Sequence, residues 1–196
     1  MDMTIQGVPK QNKEYEYSWL RSLQPCVLWL TGLSGSGKST IANALHKIMV
    51  QNGLPVENLD GDKIRDLFPG TGFSKHERDA HVRRVGFMAT LLEKHNVCVL
   101  ASFISPYRNT REYVRKLCQN YVEIHVSATL ETCEKRDVKG LYKKARSGEI
   151  CEFTGISDPY EIPLDPEITT DSEKQTVQES VDMILAYLYR HLRTCV

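Results

Sequence analysis

The run Cys26-Val-Leu-Trp-Leu-Thr31 leads without interruption into Gly32-Leu-Ser-Gly-Ser-Gly-Lys-Ser39, and a helical pattern continues from Thr40 to Gln51. An apolar run of this length fits a strand buried on both faces, and Gly-x-x-x-x-Gly-Lys-Ser between such a strand and a helix is the phosphate-cradling loop. Glycines 32, 35 and 37 let the backbone aim its N–H groups at phosphate oxygens, and the helix start adds partial positive charge. Lys38 would reach the terminal phosphates and Ser39 would ligate Mg²⁺. A plain Gly/Ser turn would have no reason to place Lys and Ser at these offsets after an apolar strand.

The same strand-then-helix alternation recurs outward from this stretch. Strands are expected at Cys26–Thr31, Val56–Asp60, Val97–Ile104 and Tyr121–Val126, with a weaker one near Glu167–Thr170. Helices are expected at Lys38–Gln51, Lys75–His95, Thr110–Cys118, Leu130–Asp137 and Val177–His191. This is the pattern of an α/β domain of P-loop NTPase type, a doubly wound parallel sheet with flanking helices. A length of 196 residues suits one such domain. Residues 1–24 read as a leader outside the core, 25–196 as the domain, and the polar stretch from about 139 to 166 as a lid.

No apolar run approaches the ~20 residues that cross a bilayer, and the polar N-terminus lacks a secretory or transit pattern. A cytoplasmic protein without membrane contact is therefore expected. The cysteines at 26, 98, 118, 133, 151 and 195 form no Cys-x-x-Cys pair and read as reduced thiols. Basic and acidic residues balance at 25 each, which argues against a polycationic nucleic-acid binder. The balance is uneven along the chain, however. Residues 61–150 hold 17 basic and 11 acidic groups, and residues 151–196 hold 3 and 9. The central excess of six cations suits anionic ligands.

Carboxylates at a strand end narrow the class. Leu59-Asp-Gly-Asp62 would sit at the carboxyl edge of the sheet beside the loop, where α/β proteins bind ligands. Asp60 and Asp62 are candidates for orienting Mg²⁺-bound water and for taking a proton from an acceptor hydroxyl; an ordinary Asp-Gly turn is the alternative. Asp137-Val-Lys-Gly140 matches Asp-x-x-Gly but follows a polar helical pattern, so it is not a switch element. Arg65, Arg78, Arg83, Arg84, Arg108 and Arg111 supply cations for phosphoryl transfer, although Arg83 and Arg84 point about 100° apart on a helix and cannot share one site. The set suits a small-molecule kinase.

Several strings together resemble one family: Gly32–Ser39, Leu59-Asp-Gly-Asp62 with Arg65, Gly72-Phe-Ser74, Arg83-Arg-Val-Gly86, Phe103-Ile-Ser-Pro-Tyr-Arg108, Cys133-Glu-Lys-Arg-Asp-Val-Lys-Gly-Leu-Tyr142, and Phe153-Thr-Gly-Ile156 with Asp158-Pro-Tyr-Glu161. From Pro25 onward the chain is similar to adenylylsulfate (APS) kinases. That resemblance implies transfer of the γ-phosphoryl of MgATP to the 3′-hydroxyl of adenosine 5′-phosphosulfate, giving PAPS for sulfate assimilation. It assigns Gly32, Leu33, Ser34, Gly35, Ser36, Gly37, Lys38, Ser39 and Thr40 to ATP, with Arg136 near the ATP base. It assigns Asp60, Asp62, Arg65, Phe73, Arg78, His81, Ile104, Ser105, Lys139, Leu141, Phe153 and Thr154 to APS, with Phe73 and Phe153 as an aromatic clamp on one adenine. Lys38, Asp62, Ser105 and Lys139 are the implied catalytic set, and Ser39 and Asp62 the implied Mg²⁺ ligands. The family describes a phosphoserine at the position of Ser105, yet a kinase of this class can transfer directly between bound substrates, and no histidine or carboxylate adjoins Ser105 in sequence. A homodimer, coupled to an ATP sulfurylase that supplies APS, is also implied.

Three residues depart from the family pattern. Lys63 stands where Asn follows the Asp-Gly-Asp string, and Ala80-His81 stands where Glu-Asn precedes the Ile-Arg-Arg string. A related kinase for another nucleotide conjugate and a non-catalytic nucleotide-binding module therefore stay open beside the APS kinase.

Overall fold

Alternate residues of the first strand feed two different hydrophobic cores. In the computed structural model, which describes residues 17–68 and 72–194, the elements run β1 Val27–Thr31, α1 Lys38–Gln51, β2 Val56–Asp60, α2 Gly61–Asp66, α3 Lys75–Lys94, β3 Cys98–Ser102, α4 Arg108–Leu117, β4 Tyr121–Ser127, α5 Leu130–Arg136, α6 Leu141–Arg146, β5 Ile168–Asp171 and α7 Val177–His191. Leu28 and Leu30 of β1 pack with Leu45 and Met49 of α1 and Ile184 and Leu188 of α7. Val27 and Trp29 pack on the opposite face with Val82 and Val85 of α3 and Val114 of α4. Burial on both faces is why β1 and β3 read as unbroken apolar runs.

The sheet is parallel throughout, in the order β2-β3-β1-β4-β5. All five strands therefore end at one edge, which gathers the residues after Thr31, Asp60, Ser102, Ser127 and Asp171. Two devices fix the helices that face this edge. Ser74 and Glu77 form a reciprocal capping box at the start of α3. Gly86 lets α3 approach α4 closely, since a Cβ there would lie 2.5 Å from Val114 Cγ2.

The expected architecture is present, with most elements differing by one or two residues at an end. The leader does not stay outside the core as far as residue 24: Ser18–Ser22 form a 3₁₀ turn, and Leu20 and Leu23 are buried among residues of α1 and α7. Residues 1–16 of the leader, and Cys195, lie outside the described residues. β3 stops at Ser102, two residues before the expected end, because the chain turns at Ser105, whose φ of 38° is incompatible with a strand. α4 begins earlier than expected, at Arg108, whose N–H donates to the Glu161 carboxylate. Short helices α2 and α6 carry too few residues for a periodic pattern to appear in sequence.

The stretch expected to act as a lid has its own small core. Cys133, Tyr142 and Phe153 are buried together with Leu33, Leu130 and Leu141 against them. Its far end, 158–162, is instead stitched to the turn after β3, so the free stretch is shorter than the expected 139–166. Cys26, Cys98, Cys118, Cys133 and Cys151 are free thiols.

Candidate active site

Gly35 and Gly37 adopt φ of 77° and 105°, a region a side chain would strain, and Gly37 occupies the cap position of α1. Lys38 is nearly buried, and its Nζ donates to the carbonyls of Gly32 and Leu33 at 2.9 and 2.7 Å. Ser39 Oγ donates to Asp60 Oδ2 at 2.8 Å. The expected Ser39 site thus has a carboxylate oxygen beside it, supplied by Asp60. Asp62 belongs to α2, but its side chain lies outside the described part of the structure. A hydroxyl and one carboxylate suit Mg²⁺, which is commonly held by one or two protein oxygens plus substrate phosphates.

These groups line a cavity of about 320 Å³, within the range of ligand pockets. Ser34, Gly35, Gly37, Lys38, Ser39, Thr40 and Asp60 line it, together with Arg65, Phe73, Arg78, His81, Ile104, Ser105, Lys139, Leu141, Phe153 and Thr154 among others. Three residues expected at ATP are not among those lining the cavity. Gly32 packs on the Val126 carbonyl, Leu33 points into the lid core, and Ser36 Oγ is buried. Arg136 is also outside the cavity; its guanidinium donates to Gly35 O, Ser172 Oγ and Ser172 O, tying the loop to the end of β5. Neither Arg83 nor Arg84 enters it: their guanidinium groups lie over the rings of Tyr113 and Phe68.

Arg78, on the cavity wall, is firmly anchored. It is 7% exposed and donates to Thr154 Oγ1 at 2.6 Å, to Asp158 Oδ2 and to Glu152 O. Tyr107 Oη donates to the same Asp158 oxygen at 2.7 Å, and burial with the neighbouring carboxylate raises its pKa to about 12, so the phenol keeps its proton. Arg65 lies 4.5 Å over the Phe73 ring and donates to Gly72 O. The two phenylalanines of the expected clamp differ: Phe73 is exposed, whereas Phe153 is buried edge-on against Tyr142.

His81 is buried between Phe68 and Phe103, and neither ring nitrogen has a hydrogen-bond partner among the described residues. Burial, then the charges of Arg65 and Arg84, lower its pKa to about 4. The imidazole is neutral at physiological pH and offers the cavity one donor and one acceptor. Because the unfolded chain takes up this proton near 6.5 and the folded chain only near 4, folding stability falls as pH drops through that window. We expect His81→Asn to remove up to about 3 kcal/mol of that decline, measurable by urea unfolding at pH 4.5 and 7.

The lid is clipped to the phosphate loop by Tyr142, whose hydroxyl donates to Ser34 O at 2.9 Å. Asp137 fixes the entry into α6, its carboxylate accepting from the N–H groups of Tyr142 and Lys143. That capping role is what the Asp-x-x-Gly string does here. Lys139, between these two anchors, is exposed at the cavity mouth. Tyr142→Phe removes the hydroxyl that bonds Ser34 O and also meets the Cys133 thiol, a loss of about 1 kcal/mol at the loop; the KM for ATP should rise about fivefold with the fold intact by circular dichroism. Sequence reasoning did not assign Tyr142, Tyr107, Asp158 or Trp29, although three of them lie in the family strings.

A model of the adenylylsulphate kinase family matches residues 24–171. The chain belongs to that family. Among family members, the adenylyl-sulfate kinase of Rippkaea orientalis is 54% identical over 162 residues, 82% of this chain and 90% of that one. The probable adenylyl-sulfate kinase of Halalkalibacterium halodurans is 51% identical over 170 residues, covering 85% and 84%. In three dimensions the chain is similar to the APS kinase CysC of Mycobacterium tuberculosis, solved in complex with AMPPNP and APS, with a TM-score of 0.81, 36% identity, and coverage of 85% and 99%.

Proposed function

We propose that the chain transfers the γ-phosphoryl of ATP to the 3′-hydroxyl of adenosine 5′-phosphosulfate. The observation that carries this reading is one cavity in which Lys38, Ser39 and Asp60 of a phosphate loop face Arg65, Arg78, Phe73 and the Ile104–Ser105 turn. One end is built for triphosphate and metal, the other for an anionic nucleotide. The family to which the chain belongs performs this reaction on these two substrates.

Phosphoryl transfer demands positioning and charge compensation more than covalent chemistry. The loop N–H groups and Lys38 bind the ATP phosphates, the ammonium leaving the carbonyls of Gly32 and Leu33 to do so. Ser39 and Asp60 would hold Mg²⁺, which would supply positive charge to offset that of the phosphates. Arg65 and Arg78 receive the acceptor's anionic group, and Lys139 brings a further cation as the lid closes. Asp62 takes the proton of the attacking hydroxyl. Ser105 acts by contact with the acceptor and not as a phosphoryl carrier: its oxygen is engaged by Trp29, and no described base lies within hydrogen-bond reach of it. Ser105→Ala should accordingly keep its kcat within about twofold, the lost neutral hydrogen bond falling on the KM for APS instead; a kcat reduced to background would restore the covalent route. The same reading includes a homodimer working in the cytoplasm on APS made by an ATP sulfurylase.

Initial rates of ADP release over a panel of acceptors test the proposal. APS should stand far above adenosine monophosphate and simple sugars. Equal rates across the panel would favour a kinase of another acceptor, and no ADP with any acceptor would favour a binding module.

A further inference from the structure

Ser105 sits in a conformation that few residues adopt, with φ of 38°, and such strain persists only where the surroundings over-determine it. Here the surroundings are specific. Trp29 Nε1 donates to Ser105 Oγ at 3.0 Å, Arg111 donates to Ser105 O at 2.6 Å, and Thr31 Oγ1 donates to Ile104 O at 2.8 Å. Arg111 is itself fixed by Glu123 at 2.7 Å, and the Glu161 N–H donates to Pro106 O. Trp29 has no freedom to swing, because its indole is stacked between Phe103 and Tyr121 in the core.

An indole N–H can only donate, so at this contact the Ser105 oxygen must accept. The serine's own proton then has one other acceptor among the described residues, Phe103 O, at the outer limit of 3.5 Å. That bond is poor, and Ser105 lines the cavity.

We propose that Trp29, a β1 residue buried beneath the cavity, is the positioning residue that holds Ser105 as a hydrogen-bond donor toward the bound acceptor nucleotide. Trp29 does not line the cavity; it sets the direction of a hydroxyl that does. The inference rests on the acceptor assignment of the preceding subsection. It separates the two nucleotides: loss of the indole N–H should weaken the acceptor's hold and leave ATP untouched.

The test is steady-state kinetics on the full chain with Trp29→Phe, which keeps an aromatic ring and removes the N–H, with Ser105→Ala, and with both changes together. Trp29→Phe should raise the KM for APS about fivefold, the worth of one hydrogen bond, with kcat and the KM for ATP within twofold. Ser105→Ala should do the same, and the double variant should be no worse than either single one. A lower melting temperature with an unchanged KM for APS, or effects that multiply in the double variant, would overturn the proposal. If Trp29→Phe does not fold, fluorescence replaces it. In a Trp19→Phe protein, which leaves Trp29 as the sole indole, saturating APS should change the emission, and adding Ser105→Ala should abolish the change. Constant emission would contradict the proposal. Wild-type protein without APS-dependent ADP release would instead remove the acceptor assignment itself.

Discussion

Lys38→Ala should lower kcat by about 10²- to 10³-fold, the usual cost of removing one preorganised charge from a transferring group. Lys38 is the only cation of the phosphate loop, residues 32–39, and its ammonium already sits over that loop on two carbonyl oxygens. Removing it takes those bonds away as well, one buried and one part-buried, at about 1 kcal/mol each, while glycine geometry still holds the turn. The melting temperature should therefore drop by only a few degrees, with the circular dichroism spectrum kept, while turnover collapses. Steady-state rates at saturating ATP and APS check this; a kcat within tenfold of wild type would move the triphosphate site elsewhere.

Arg78→Ala should affect both stability and acceptor binding. It deletes three hydrogen bonds to the lid and leaves the Asp158 carboxylate with Tyr107 alone. Breaking a largely buried pair by removing one partner costs about 3 kcal/mol, and the side chains here are 7% and 20% exposed. The KM for APS should rise more than tenfold, because the lid wall carrying Phe153 and Thr154 is no longer held against α3. Arg78→Lys should not rescue it, since one ammonium cannot reproduce a guanidinium fork that spans three acceptors. Asp158→Asn should share part of the loss, and a double-mutant cycle read by urea unfolding should give a coupling of about 1 kcal/mol or more. Additive effects would contradict the linkage.

The phosphate loop and the two-sided sheet were legible because their signals are local. An apolar strand running into Gly-x-x-x-x-Gly-Lys-Ser carries its structural context with it, and full burial of β1 and β3 leaves continuous apolar runs. The family strings likewise led to most of the residues that line the cavity. What escaped depends on contacts distant in sequence. Trp29 reads as an ordinary core aromatic until Ser105, 76 residues away, meets its indole nitrogen. Asp158 reads as a loop carboxylate until Arg78, 80 residues earlier, reaches it. The two short helices, and the burial of Leu20 and Leu23 from the leader, left no periodic trace. Arg136 and the inward turn of Leu33 show the converse case, where a motif position is kept for packing or for bracing the loop.

The most direct measurement of the central claim is the identity of the product. Incubation with ATP labelled in the γ-phosphoryl group and with APS, followed by separation of the nucleotides, should place the label on adenosine phosphosulfate as a 3′-phosphate, with ADP formed in equal amount. Label in free phosphate alone, or on the sugar of a different nucleotide when several acceptors compete, would contradict it.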